Sequence, residues 1–160
     1  MDKDRLLADV KQAEGFSDKP YKDTKGFWTG GYGHFLTPQD DAHWQAFLAV
    51  PTNRFDADTI NGWLIADLAN AAGQARGLME WNSLDCDVRQ NAVVELVFNM
   101  GLGKWRQFVK SRLAMLHKEW QMAYDELLNS AWAKEVQPKG FDKPGRATRI
   151  ATYILRGSFT

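Results

Sequence analysis

Three residues near the start of the chain carry side chains that could share one reaction: Glu14, Asp23 and Thr29. Glu14 lies seven residues after Leu7 and four after Val10, so a helix would place its carboxyl group on their apolar face. Removal from water and the C-terminal end of a helix dipole both favour the protonated form of a carboxyl group. Glu14 therefore has the properties of a general acid.

Asp23 and Thr29 occur in a segment typical of a β-hairpin. An aspartate that opens a turn commonly binds only the turn backbone, and threonine is an ordinary strand residue. The alternation of a strand nevertheless places Thr29 on one face with Phe27 and Gly31. If this hairpin folds back toward Glu14, two carboxyl groups face each other across a cleft, which is the minimum apparatus for glycoside hydrolysis.

The elements that must position these residues begin with a small antiparallel sheet. Residues 21–22, 27–29 and 32–36 have strand-like composition, and a turn follows the first of these runs. Gly30 and Gly31 predict a second bend, and their lack of side chains would keep a cleft floor open for a ligand.

The rest of the chain is predicted to be helical, apart from loops. Apolar spacing predicts helices over 4–14, 58–76, 85–100, 110–116, 120–132 and 146–155, and a short helix near 42–48. Asp58 is the expected N-cap of the second helix. The predicted fold class is α+β.

The domain prediction follows from these elements. One catalytic domain, 1–160, would contain a sheet lobe over 15–57 and a helical lobe over 77–160 together with 1–14. The long helix over 58–76 would join the two lobes.

Composition narrows the function classes. The 160 residues include 20 basic and 20 acidic side chains and no dense basic run, so nucleic acid and stable membrane association are not expected, and electrostatic steering to an anionic polymer would be weak. Neither a signal peptide nor a membrane-spanning run is evident, which predicts synthesis in a cytosol. Cys86 is the only cysteine and is expected to be structural. The histidines lack metal-ligand spacing, so no metal and no cofactor is predicted.

Several motifs together resemble one family. These are E-G-F at the end of the first helix, Y-K-D-T-x-G-x-x-T-x-G-Y-G-H in the hairpin, and F-N-M-G at the end of a later helix. They are similar to the phage-type lysozymes, the endolysins of the T-even bacteriophage class. Weaker similarity continues over 93–132 and 146–157, so most of the chain is covered.

The resemblance implies a muramidase that cleaves the β-1,4 bond between N-acetylmuramic acid and N-acetylglucosamine in peptidoglycan. It implies that Glu14 is the general acid, that Asp23 orients water and stabilises the transition state, and that Thr29 helps to hold that water. It also implies inversion at the anomeric carbon, a monomer without cofactor, and lysis of a host cell. The enzyme would accumulate in the host cytoplasm and reach the wall after release, through a holin pore.

The resemblance also implies supporting residues. Asp67 lies on the apolar face of its helix and needs a partner, and His34 is the expected one, in a structural pair. Arg146 would approach Glu14 and favour its ionised form. Residues that would line the sugar groove are Phe35, Phe98, Ser111 and, where the family often has asparagine, Glu126.

Two other functions remain open at the level of sequence. A non-catalytic peptidoglycan-binding protein would keep the groove without the chemistry, although all three matched catalytic residues are present. A lytic transglycosylase would use one acidic residue and leave an anhydro product.

Overall fold

The computed structural model describes residues 1–37, 47, 49–50, 52–136 and 145–159. The chain divides into two compact units, Leu7–Ala69 and a larger unit that combines Met1–Leu6 with Asn70–Thr160. The short helix predicted near 42–48 lies outside the described residues, apart from Phe47. The prediction of a single catalytic domain stays a prediction.

The helices follow the predicted order. Their bounds are α1 Lys3–Ala13, α2 Ala57–Arg76, α3 Asp87–Met100, α4 Leu102–Arg106, α5 Val109–Leu116, α6 Trp120–Leu128, α7 Ala131–Glu135 and α8 Arg146–Arg156. With the three-stranded antiparallel sheet described below, they confirm the α+β class.

Several helix boundaries differ from the prediction by one or two residues, and the short helix α4 was not predicted. Helix α2 begins one residue earlier, and its cap is Asp56, whose Oδ1 accepts a hydrogen bond from the Thr59 amide at 2.8 Å. The helix predicted over 120–132 is two helices, because the Ser130 hydroxyl oxygen accepts from the Ala133 amide at 3.1 Å and so caps α7 as a new start.

The core of the larger unit forms around α3. This helix is apolar on several sides, and Ala92, Val93, Leu96 and Val97 are all buried. It ends at Gly101, whose φ of 80° a glycine adopts without strain. Trp132 is buried, and its Nε1 donates to Asn99 Oδ1 at 2.7 Å.

The sheet consists of β1 Ser17–Lys22, β2 Trp28–Gly31 and β3 His34–Phe35, in the order β1-β2-β3 with antiparallel pairing. The bend predicted at Gly30 and Gly31 is instead a turn at Tyr32 and Gly33, so the third strand begins two residues later than predicted. The two glycines pair within the sheet, Gly30 with His34 and Gly31 with Ser17.

The glycines of β2 serve close packing rather than an open cleft floor. Both are buried, and a Cβ atom on Gly30 would lie 3.0 Å from the Phe55 ring, while one on Gly31 would lie 2.9 Å from Ile60 Cγ2. Leu36, Phe55 and Ile60 form the buried cluster against which this face of the sheet packs. The absence of side chains on β2 lets that cluster approach the backbone.

Candidate active site

Glu14 directly follows α1 and continues its hydrogen bonding, since the Glu14 amide donates to the Val10 carbonyl at 2.9 Å. Val10 is completely buried and Glu14 is half-buried. The carboxyl group therefore lies at the edge of an apolar stripe, with access to solvent, as the helical spacing predicted.

Asp23 follows β1 and organises the turn that leads into β2. Its Oδ1 accepts hydrogen bonds from the Lys25 amide at 2.8 Å and the Phe27 amide at 2.9 Å. Its Oδ2 has no hydrogen-bond partner among the described residues. One oxygen thus holds the carboxylate in place, while the other is available to a water molecule or a substrate.

Thr29 lies at the centre of the sheet. It pairs with Tyr21 of β1 on one side and with Phe35 of β3 on the other, and it is 5% exposed. The Thr29 hydroxyl donates to the Phe27 carbonyl at 3.2 Å, which leaves its lone pairs free to accept from water.

Tyr21, near the end of β1, is under the electrostatic influence of both candidate carboxyl groups. Burial raises the pKa of its hydroxyl above the ordinary value of 10.0, and the negative charges of Glu14 and then Asp23 raise it further. Both carboxyl groups therefore act on the same phenol. Sequence reasoning missed Tyr21, although its position two residues before Asp23 on a predicted strand was a usable signal.

The predicted contact between His34 and Asp67 is present. His34 Nδ1 lies 2.8 Å from Asp67 Oδ2, and the imidazole stacks on the Trp63 ring with centroids 4.8 Å apart. These contacts attach the start of β3 to α2, which suits the structural role predicted for the pair.

Arg146 contacts a carboxylate that sequence reasoning did not single out. Its Nε lies 3.5 Å from Oε1 of Glu95, and Arg149 binds both oxygens of Glu95 at 2.6 and 2.9 Å. Glu95 is 1% exposed, so two guanidinium groups compensate its desolvation. The approach of Arg146 to Glu14 stays a prediction.

Two of the predicted groove residues line one cleft in the larger unit. Ser111 and Glu126 both border a cleft of about 520 Å³, together with Phe108 and Trp132. Glu126 Oε1 lies 3.9 Å from Lys110 Nζ, an exposed pair that contributes little to stability.

The other two groove residues differ in exposure. Phe98 is half-buried in α3, and Phe35 is exposed on β3 in the smaller unit. A single groove that combines all four residues stays a prediction.

No cluster of histidine, cysteine and carboxylate side chains suited to a metal ion occurs in the described ranges. No described helix combines the length and apolarity needed to cross a bilayer.

The fold and the site define a class. A half-buried glutamate after the first helix, an aspartate in the turn after β1 and a threonine on β2 supply the residue types that glycoside hydrolysis requires. Comparison with known families agrees, because residues 11–149 match the phage lysozyme family. The chain belongs to that family and is a peptidoglycan hydrolase of the lysozyme type.

Similar proteins come from a phage and from a eukaryote. Probable T4-type lysozymes 1 and 2 of Dictyostelium discoideum are each 25% identical to this chain, over 93% of it and 92% of their own length. The pre-baseplate central spike protein Gp5 of Enterobacteria phage T4 is 27% identical over 93% of the chain. The chain spans 27% of that larger protein.

Proposed function

We propose that the enzyme hydrolyses the β-1,4 bond between N-acetylmuramic acid and N-acetylglucosamine with inversion at the anomeric carbon. The observation that carries this proposal is the match of residues 11–149 to the phage lysozyme family, together with the fixed Asp23 carboxylate, whose Oδ1 accepts from the Lys25 and Phe27 amides. An acid and a base that share one site can serve the two sides of one glycosidic bond.

The reaction begins with proton transfer from Glu14. Its carboxyl proton moves to the glycosidic oxygen as the bond from that oxygen to C1 of N-acetylmuramic acid breaks. The N-acetylglucosamine residue leaves with a free 4-hydroxyl group. Glu14 directly follows α1 and is half-buried, so its carboxyl group is accessible to a bound substrate.

Water then completes the reaction from the opposite side of the sugar. Oδ2 of Asp23 accepts a proton from this water as the water oxygen attacks C1, and the Thr29 hydroxyl oxygen accepts a second hydrogen bond from it. The hydrogen bonds from Lys25 and Phe27 to Oδ1 hold the carboxylate for this task. Solvent returns the proton from Asp23 to Glu14, so the enzyme regains its starting state.

Product analysis tests this function. Purified peptidoglycan is digested, and the fragments are reduced and identified by mass spectrometry. Hydrolysis at the proposed bond gives N-acetylmuramic acid at the reducing end, with the mass of one added water per cut. Anhydro products would instead establish a lytic transglycosylase, and binding without release would establish a non-catalytic protein.

The stereochemistry is tested separately. Proton NMR of the first product formed reports whether C1 carries the α or the β anomer before mutarotation. Inversion of the β-linkage gives the α anomer. Formation of the β anomer would overturn the inverting mechanism and leave the hydrolase assignment intact.

Host lysis is the biological role that we propose for this activity. The protein would be made in a host cytoplasm and act as a monomer on the wall after release through a membrane pore such as a holin. Expression in Gram-negative cells with and without a pore-forming protein tests this role. Loss of turbidity only when the pore is present is expected, and lysis without the pore would contradict the dependence on release.

A further inference from the structure

Glu80 is a completely buried carboxylate of the larger unit. It is 0% exposed and directly precedes a short 3₁₀ turn, Trp81–Ser83. Its Oε1 accepts from Arg112 Nε at 2.9 Å and from Trp105 Nε1 at 3.1 Å, and its Oε2 accepts from Arg112 Nη2 at 3.0 Å. Both carboxylate oxygens are therefore occupied by protein groups, and Glu80 does not contact a substrate itself.

These hydrogen bonds join two short helices. Trp105 lies on α4 and Arg112 lies on α5, and Arg112 Nη1 also donates to the carbonyl of Arg106, the last residue of α4, at 3.2 Å. Helices of five and eight residues are too short to be stable alone, so tertiary contacts decide where they lie. One carboxylate thus fixes the corner at which α4 meets α5.

The corner between α4 and α5 forms one wall of the cleft of about 520 Å³ in the larger unit. Phe108 lines this cleft, and its ring packs against the Trp105 ring with centroids 5.4 Å apart. Ser111 also lines the cleft and directly precedes Arg112. The cleft residues that come from this corner are Lys104, Gln107, Phe108, Val109, Lys110 and Ser111. The two side chains bonded to Glu80 therefore lie behind this wall.

A buried ion pair contributes more to orientation than to stability. Apolar side chains of similar volume often give equal or greater stability, because desolvation offsets most of the attraction between the charges. The paired hydrogen bonds between a guanidinium and a carboxylate, in contrast, allow one relative orientation of the two groups. The contacts of Glu80 with Arg112 therefore specify how α5 is placed beside α4.

We propose that Glu80 is a positioning residue for substrate binding. Through Trp105 and Arg112 it holds the α4–α5 corner in the shape in which the cleft accepts a peptidoglycan strand. This inference rests on the proposed function, because it takes that strand as the molecule that enters the cleft. The three candidate catalytic residues belong to the smaller unit, so a change in this corner alters binding of the strand and not the breaking of its bond.

Kinetics and binding of Glu80→Gln test this role, since the amide keeps one acceptor oxygen and removes the charge. The probe is a soluble peptidoglycan strand without peptide cross-links. KM for its hydrolysis is expected to rise about 5- to 20-fold while kcat changes less than about threefold, because a displaced wall weakens binding of substrate and transition state alike. The Kd of the strand, measured in a Glu14→Gln background so that the strand is not cut, should rise by the same factor.

A double variant separates positioning from stability. Glu80→Gln alone leaves the Arg112 guanidinium without its counter-charge and so lowers the thermal midpoint. In Glu80→Gln/Arg112→Met this charge is absent, and the new amide oxygen still accepts from Trp105. The midpoint is expected to recover toward the wild-type value while KM stays raised, because the link from α5 to the end of α4 is still missing. Recovery of KM together with the midpoint would overturn the positioning role.

Val88→Ala is the matched control for loss of stability. Val88 is buried in the first turn of α3 and does not line the cleft. Its truncation should lower the midpoint and leave KM unchanged. Hydrogen exchange followed by mass spectrometry should show faster exchange of the amides of residues 102–113 in Glu80→Gln than in Val88→Ala. Equal exchange of this segment in the two variants, or an equal rise in KM, would overturn the positioning role.

The outcomes distinguish this inference from the proposed function. Hydrolysis by the wild type with an unchanged KM and Kd in Glu80→Gln would overturn the positioning role alone. Strand binding that weakens in Glu80→Gln, without hydrolysis by the wild type, would overturn the proposed function and retain the positioning role.

Discussion

The Leu7–Ala69 unit leaves its candidate catalytic carboxyl groups half-buried, whereas the larger unit buries two glutamates almost completely. Glu14 and Asp23 retain access to solvent, while Glu80 is 0% exposed and Glu95 is 1% exposed. Guanidinium groups compensate the desolvation of these two buried carboxylates. Arg112 binds both oxygens of Glu80 at 2.9 and 3.0 Å.

Burial decides whether a carboxylate contributes to stability or to catalysis. A buried carboxylate with all its partners in place stabilises a specific arrangement of helices and has no capacity left for a substrate. A half-buried carboxylate with one available oxygen adds little to stability but can exchange a proton. We therefore expect substitutions in the smaller unit to reduce activity, and those at the buried glutamates to reduce stability.

The largest expected effect is on activity and follows Glu14→Gln. The amide cannot supply the proton, so kcat for peptidoglycan hydrolysis should fall about a hundredfold to ten-thousandfold. The denaturation midpoint should stay unchanged within error. Glu135→Gln, at an exposed pair with Lys104, is the matched control. Retained hydrolysis in Glu14→Gln would mean that Glu14 is not the general acid.

Glu80→Ala should have the largest effect on stability. It leaves the Arg112 guanidinium and the Trp105 Nε1 hydrogen without their shared acceptor, and the free energy of unfolding should fall by about 3–5 kcal/mol. Urea denaturation measures this change. Glu135→Ala should cost at most about 1 kcal/mol, because its ion pair is exposed. Equal losses in the two variants would contradict the role assigned to burial.

Asp23→Asn distinguishes the structural role of Asp23 in the turn from its role in the reaction. The amide oxygen can still accept from Lys25 and Phe27, so the thermal midpoint should hold, while kcat falls about a hundredfold through loss of the negative charge. Asp23→Ala should lose both activity and stability. If Asp23→Asn lowered the thermal midpoint as much as Asp23→Ala does, the negative charge would be needed to stabilise the turn and not for the reaction.

The smallest expected effect is on the titration of Tyr21. Absorbance of the phenolate, taken as wild type minus Tyr21→Phe, should give a pKa above 10.0. Glu14→Gln should lower this pKa, because it removes the larger of the two charge effects, and Asp23→Asn should lower it less.

The raised pKa of Tyr21 also sets the direction in which stability changes with pH. A pKa raised by folding contributes stability that is present below pH 10.0 and is lost as the pH rises through the higher folded-state value. Stability of the wild type relative to Tyr21→Phe should therefore decline only in strongly alkaline solution. A Tyr21 pKa insensitive to both substitutions would mean that the carboxyl groups do not share a site.

Much of the site was predictable because its determinants are local. The helical spacing around Glu14, the turn chemistry of Asp23 and the alternation that gives Thr29 its face all operate within a few residues. The bend after β2 was predicted too early, because glycine favours turns and also allows close packing, and sequence alone does not distinguish these uses. Gly30 lies in the strand since the Phe55 ring occupies the space that a side chain would need.

The fold class, the three strands, most of the helices and the family-like motif that carries Glu14, Asp23 and Thr29 could all be predicted from the sequence. Which distant groups meet depends on the packing of the folded chain: Glu95 meets Arg149, 54 residues later, and Tyr21 lies under the influence of two carboxyl groups. Short-range propensities act within one element and leave their pattern in the sequence. Which groups pair with a buried charge depends on tertiary packing, and that packing involves residues from the whole chain.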